Sequence, residues 1–258
     1  MFLLHKWYLD VVTDQGAAAI FYAARLQWGP VRTRYASALY AAPGDAPREQ
    51  ATRRQIEWPR EDNDILTWHS RPLGVLGRWR RDAAPIERVL ADDPAAAIHW
   101  TCHMPRARVS VQAGDASLEG LGYVESLRLT VPPWKLPFRT LRWGRHVSSR
   151  HSVVWIEWTG AEARRWVWLD GVLQPAATLA DAGLSGLEGG SALRLEPCRG
   201  LRDSPVLSTI GGPLPVLARR LAGPLGRMHE SKRLARSAIV SNGRQLDQGW
   251  TVHEEVTW

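Results

Sequence analysis

An all-β fold of sandwich or barrel type is predicted by three features of this sequence. Short runs rich in β-branched and aromatic residues recur at roughly ten-residue spacing, the habit of strand-dominated domains. Turn signals punctuate them at Gly114-Asp115, Asp170-Gly171 and Asn242-Gly243. The alternation of strands with long helical patterns that marks a parallel βαβ sheet is missing.

The strand candidates follow in order. Residues 18–26 and 35–40 are short runs bounded by Gly and Pro, and residues 43–62 are polar and charged, reading as a long surface loop. Residues 98–104 alternate, as do 107–111, and 152–158 and 165–169 carry the strongest β-branched and aromatic content. In Val131-Pro132-Pro133-Trp134-Lys135-Leu136-Pro137 the prolines exclude regular ladder pairing. A domain join near 130–148 follows, with lobes at 1–140 and 141–258. Residues 213–226 predict a short helix between proline stops, with Val216, Leu217, Leu221 and Leu225 roughly on one side and Arg219 and Arg220 beside them. It reads either as a connecting helix packed on a barrel mouth or as a lid or membrane-surface contact that delivers an apolar ligand.

Composition narrows the class. The 258 residues allow one large or two small domains, and 45% hydrophobic with 23% charged residues excludes disorder and low-complexity architecture. Cys102 and Cys198 lie far apart without CxxC or Cys/His spacing, so neither a disulfide framework nor structural zinc is expected. The opening Met1-Phe2-Leu3-Leu4-His5-Lys6-Trp7 turns polar too soon for a secretory h-region, and there is no 18-residue apolar run; a cytoplasmic protein is expected. The +7 net charge comes from dispersed arginines such as Arg53-Arg54, Arg80-Arg81, Arg164-Arg165 and Arg219-Arg220, without zinc-finger, RNP1 or basic-zipper patterns. A solvated basic surface is expected, not a nucleic-acid partner. The 14 Trp, against 3 Phe and 5 Tyr, predict broad rigid aromatic surfaces along strands or a cavity wall.

Trp7 with Gly16-Ala17-Ala18-Ala19-Ile20 and Leu26-Gln27-Trp28-Gly29 resembles the opening strands of the double-lipocalin superfamily, which includes carotenoid 1,2-hydratase, AttH-like proteins, tocopherol cyclase and lipocalin-like Diels–Alderases. Gly120-Leu121-Gly122-Tyr123-Val124-Glu125 followed by Leu141-Arg142-Trp143-Gly144-Arg145 is similar to that group's GxGYxxxxWG hinge, stretched by a proline-rich insertion. Where many relatives carry His-Asp-His after the Tyr, this chain reads Val124-Glu125-Ser126. The resemblance spans essentially the whole chain. It implies two lipocalin-like barrel lobes packed together, an apolar pocket between them, and cofactor-free hydration, cyclisation or isomerisation of isoprenoid or polycyclic substrates.

Glu125 leads the chemical candidates. In an apolar stretch its carboxyl is open to desolvation and to general acid or base work, or else to pairing with Arg145 or Arg142. Arg145 and Trp143 are read as a substrate clamp or as a structural cation–π pair. His99 and His103, four apart on an alternating strand, share a face and offer an acid–base partner to Glu125. A metal there would need a third ligand such as His69, and none is expected. Tyr123, Trp100, His151, His229 and Glu230 complete the expected substrate-binding set; His229-Glu230 lacks HExxH spacing. There is no GxSxG elbow and no GxGxxG loop, which argues against a serine nucleophile and against nucleotide cofactors. The reading is a cofactor-independent enzyme performing acid–base addition, elimination, isomerisation or cyclisation on an apolar isoprenoid, polyketide or steroid-like substrate. The alternative is a non-catalytic carrier of a hydrophobic small molecule.

Overall fold

The computed structural model describes residues 1–93, 96–136, 138–206 and 227–258. The helix expected near 213–226 lies outside the described residues. Two compact units divide the chain: Met1–Leu136 with Pro205–Met228, and Pro137–Ser204 with His229–Trp258.

The first unit is built from β1 (Phe2–Val12), β2 (Ala18–Trp28), β3 (Val31–Ala41), β4 (Arg48–Thr52), β5 (Arg60–Asp62), β6 (Ile65–Ser70), β7 (Val75–Arg81), β8 (Ile86–Asp93), β9 (Ala96–Ala113) and β10 (Ala116–Leu129). The second holds β11 (Phe138–Ser148), β12 (Ser152–Gly160), β13 (Arg164–Leu169), β14 (Val172–Leu173), β15 (Thr178–Ala180), β16 (Gly183–Leu187), β17 (Ser191–Leu195), β18 (Arg199–Pro205), β19 (His229–Ser241) and β20 (Arg244–Thr257). No helix among the described residues is long and apolar enough to cross a membrane.

One sheet runs β4-β3-β2-β1-β10-β9-β7-β6-β5 with β8 on β9; the other runs β14-β13-β12-β11-β20-β19-β17-β16-β15 with β18 on β19. Adding ten to every strand number of the first sheet gives the second, so the topology is duplicated. The register is duplicated too. Tyr8 faces Glu125 across β1 and β10, and Trp143 faces Glu254 across β11 and β20. Glu125 then pairs Cys102 on β9, and Glu254 pairs Lys232 on β19.

Each sheet folds round its own apolar core. In the first, Phe21 of β2 reaches Trp68 of β6 at 5.6 Å and Trp79 of β7 at 6.0 Å, although three and more strands lie between them in the sheet order. Only a curled sheet brings those strands face to face. Leu9, Val11, Phe21, Trp68, Trp79, Met104, Val111 and Val124 fill its inner face. In the second, Val153, Trp155, Val167, Leu184, Leu193 and Ile239 do the same. Burying such side chains stabilises each unit by about 25 cal/mol per Å² removed from water.

The segment expected to be a surface loop, 43–62, contains two strands, β4 and β5. Almost all their residues are exposed, so neither shows the alternation that betrays a half-buried strand; they are charged edge strands. Residues 98–104 and 107–111 are one continuous strand, β9. Its pairing with β10 shifts register between Gly122 and Val124 and again between Val124 and Glu125, and Pro105 is accommodated in that bulged stretch.

Candidate functional site

Alternation along β1 and β10 sends Leu9, Val11 and Val124 into the first unit's core and turns Tyr8, Asp10, Tyr123 and Glu125 to the opposite, outer face. That face is buried as well: Tyr123 and Asp10 are wholly enclosed and Glu125 is 7% exposed. Buried polar groups must find partners, and these do so side by side. Tyr123 Oη donates to Glu125 Oε2 at 2.8 Å, and Trp100 Nε1 donates to the same oxygen at 2.6 Å. On the neighbouring strand Tyr8 Oη donates to Asp10 Oδ2 at 2.8 Å, and the rings of Tyr8 and Tyr123 meet edge to face at 6.0 Å. Two tyrosine–carboxylate pairs thus lie antiparallel to one another. Burial, with Cys102 and Glu125 alongside, pushes the Tyr123 phenol well above its usual range, so it remains a donor. Burial likewise keeps the Cys102 thiol protonated; it bonds Tyr123 and feels the charges of Glu125 and Asp10.

The matching position in the second unit is chemically different. Lys232, fully buried, forms a short ion pair with Glu254, lies 3.4 Å from Glu230 Oε1, and stands over the Trp143 ring at 5.6 Å. Arg202 Nη1 donates to Glu230 at 3.1 Å. Arg145 is enclosed and donates to the Trp250 carbonyl at 2.8 Å. This is an ion network, where at the matching position of the first unit Glu125 accepts from the Tyr123 hydroxyl and the Trp100 indole.

No protein-family model matches the sequence, and no curated protein matches it. Solved structures do. CghA with bound Sch210972 aligns over 99% of this chain and 88% of its own, with TM-score 0.62 and 11% identity. A putative AttH from Nitrosomonas europaea aligns over 99% and 92%, with TM-score 0.58 and 9% identity. Kievitone hydratase from Nectria haematococca aligns over 98% and 88%, with TM-score 0.54 and 9% identity. The chain has the double-lipocalin fold.

Within this double-lipocalin chain, Glu125, Tyr123 and Trp100 come together as one hydrogen-bonded group. His99 and His103 do not join it. His103 is the extra residue of the β-bulge, between Met104 opposite Val124 and Cys102 opposite Glu125. It turns to the inner side, stacks on Trp7 at 4.4 Å, and bonds Ser126 and Glu61. His99 pairs with Arg128 and is exposed. The expected Glu125–histidine pairing is therefore replaced by Glu125–Tyr123, because strand pleat and bulge put the histidines on the other face. His69 stands apart, exposed and 3.3 Å from Glu57.

The remaining candidates belong to the second unit. Trp143 and Glu230 belong to its ion network, and Arg145 donates to the Trp250 carbonyl. Arg142 pairs with Glu157, Asp181 and Glu255. His151 ties the β11–β12 hairpin through Asp170 at 2.7 Å, and His229 lies exposed 3.5 Å from Asp203. Sequence reading missed Tyr8, Asp10, Cys102 and Lys232. An acid at alternate position in Trp7-Tyr8-Leu9-Asp10-Val11, an otherwise apolar strand, was the signal for Asp10.

Proposed function

We propose that the protein is a cofactor-independent acid–base enzyme acting on an apolar isoprenoid, polyketide or steroid-like substrate at the outer face of the first unit's sheet. The observation that carries this reading is the enclosed Glu125 carboxyl, held on one oxygen by the Tyr123 hydroxyl and the Trp100 indole. A carboxyl so held is oriented and largely shielded from water, which favours proton transfer to or from carbon. Glu125 gives its proton to an alkene, or takes one from an activated C–H or from attacking water. Tyr123, kept neutral, supplies a hydrogen bond that strengthens as Glu125 becomes anionic. Trp100, Tyr8 and Tyr123, grouped around Glu125, are the aromatic side chains that would stabilise a developing carbocation. The fold is also that of a protein named as a hydratase and of one that binds Sch210972. Both support an enzyme handling an organic substrate.

The test is Glu125→Gln against a panel of polyenes and prenylated phenols in deuterated water, with turnover read as mass shift and binding as tryptophan fluorescence. Turnover should fall about 10²–10⁴-fold while the ligand still binds. Binding without deuterium uptake in either protein would instead identify a carrier.

A further inference from the structure

On the inner side of the first unit, away from Glu125, three side chains from three strands line up. Ser126 of β10 lies with its Oγ 2.9 Å from His103 Nε2. His103 Nδ1 lies 3.0 Å from Glu61 Oε2, on β5. An ionised carboxylate only accepts, so Nδ1 carries the ring proton, Nε2 is the acceptor, and the Ser126 hydroxyl donates to it. Serine to Nε2 and carboxylate to Nδ1 is the connectivity that activates a serine, whatever the order along the chain.

The arrangement is braced. Arg81 forms a short ion pair with Glu61 through Nη2, donates through Nη1 to Asp64 at 3.0 Å, and donates through Nε to the His103 carbonyl at 3.2 Å. One guanidinium therefore fixes both the carboxylate and the backbone of the histidine. Trp7 backs the imidazole, and the bulge aims it. The group is also reachable: the His103 and Glu61 side chains are 19% and 24% exposed, and Ser126 is half-buried. Around it lie flat surfaces and positive charge. His5 stacks on Trp58 at 5.5 Å, Arg25 covers Trp58 at 5.7 Å, and Arg128 sits two residues beyond Ser126 on the same face.

We propose that Ser126, His103 and Glu61 form a second catalytic centre, a serine hydrolase site for carboxylic esters with a flat apolar acyl group. Ser126 Oγ attacks the ester carbonyl while its proton passes to His103 Nε2. The C–O bond to the alcohol breaks, and the leaving oxygen takes that proton from Nε2. Water then attacks the acyl-serine, its proton again going to Nε2, and the C–Oγ bond breaks as the serine regains a proton. The balance is ester and water in, acid and alcohol out. Arg128, two residues beyond Ser126 on the same strand face, is the cationic side chain proposed for the carbonyl oxygen as it becomes negative. Glu61 and Arg81 are positioning residues. This centre is independent of the acid–base reading, since Glu125 faces the other side of the sheet.

The experiment combines p-nitrophenyl benzoate hydrolysis with fluorophosphonate labelling mapped by mass spectrometry on the full chain. The wild type should label at Ser126, and Ser126→Ala should abolish labelling and lower hydrolysis about 10³-fold or more, while Ser110→Ala, exposed on β9, changes neither. Activity should persist somewhat below the ordinary histidine range, because burial lowers the His103 pKa against the opposing pull of Glu61. Glu61→Gln should reduce kcat more than KM and move the acid limb to still lower pH. Labelling elsewhere, no labelling, or full hydrolysis by Ser126→Ala overturns the proposal.

Discussion

His146 is enclosed in the second unit with Nδ1 2.8 Å from Ser237 Oγ, and its Nε2 has no hydrogen-bond partner among the described residues. Burial first, and then Arg145, push its pKa down to about 3; His151 adds to this, while Asp247 and Asp170 oppose it. The folded pKa is depressed, so the sign is fixed. Stability is full above about pH 6.5 and falls as pH drops toward 3, because the unfolded chain takes a proton that the folded one refuses. The slope from this residue is about 1.4 kcal/mol per pH unit. Denaturant unfolding across that window should show a flatter acid branch for His146→Gln than for the wild type; an identical slope would rule out this assignment. At this scale the sequence was partly legible. Glu125 stands out as an acid in an apolar run, but the Ser126–His103–Glu61 group joins residues 23 and 42 apart, and only register reveals it.

The signal of an apolar or β-branched run bounded by turns located β2, β3, β12 and β13, which are largely buried on both faces over much of their length. It failed for β4 and β5, whose both sides meet solvent, and it broke β9 at Pro105, which a bulge tolerates. Close approach between elements also leaves its mark. A Cβ built on Gly144 of β11 would stand 2.1 Å from the Trp155 ring of β12, the residue directly opposite. The indole occupies the space that the glycine leaves. Gly144→Ala should therefore cost about 1–3 kcal/mol by overpacking. In a Trp155→Leu background the same change should cost clearly less, read as coupling in a double-mutant cycle from urea midpoints. Additive losses would show that the ring yields freely.

The whole molecule repeats one topology with different chemistry. Equivalent positions hold Tyr8 and Trp143, Cys102 and Lys232, Glu125 and Glu254, with the two glutamates alone preserved. The resemblance of the hinge predicted the double-lipocalin fold, whereas the divergence of function between the copies needed the registers. The Tyr123 hydroxyl and the Trp100 indole that donate to Glu125 are neutral, and an amide oxygen accepts from them as well, so Glu125→Gln should cost less stability than Glu254→Gln. Glu254 shares with Glu230, 3.4 Å away, the neutralising of a lysine with no exposed surface, and its removal leaves that buried ammonium short of one charge partner. Glu254→Gln should thus cost about 1–3 kcal/mol, and Lys232→Met in that background should restore part of it. Urea unfolding of the two Gln variants side by side is the measurement. Equal losses would mean that both copies use their glutamate for stability, and the separation into a chemical and a structural copy would fail.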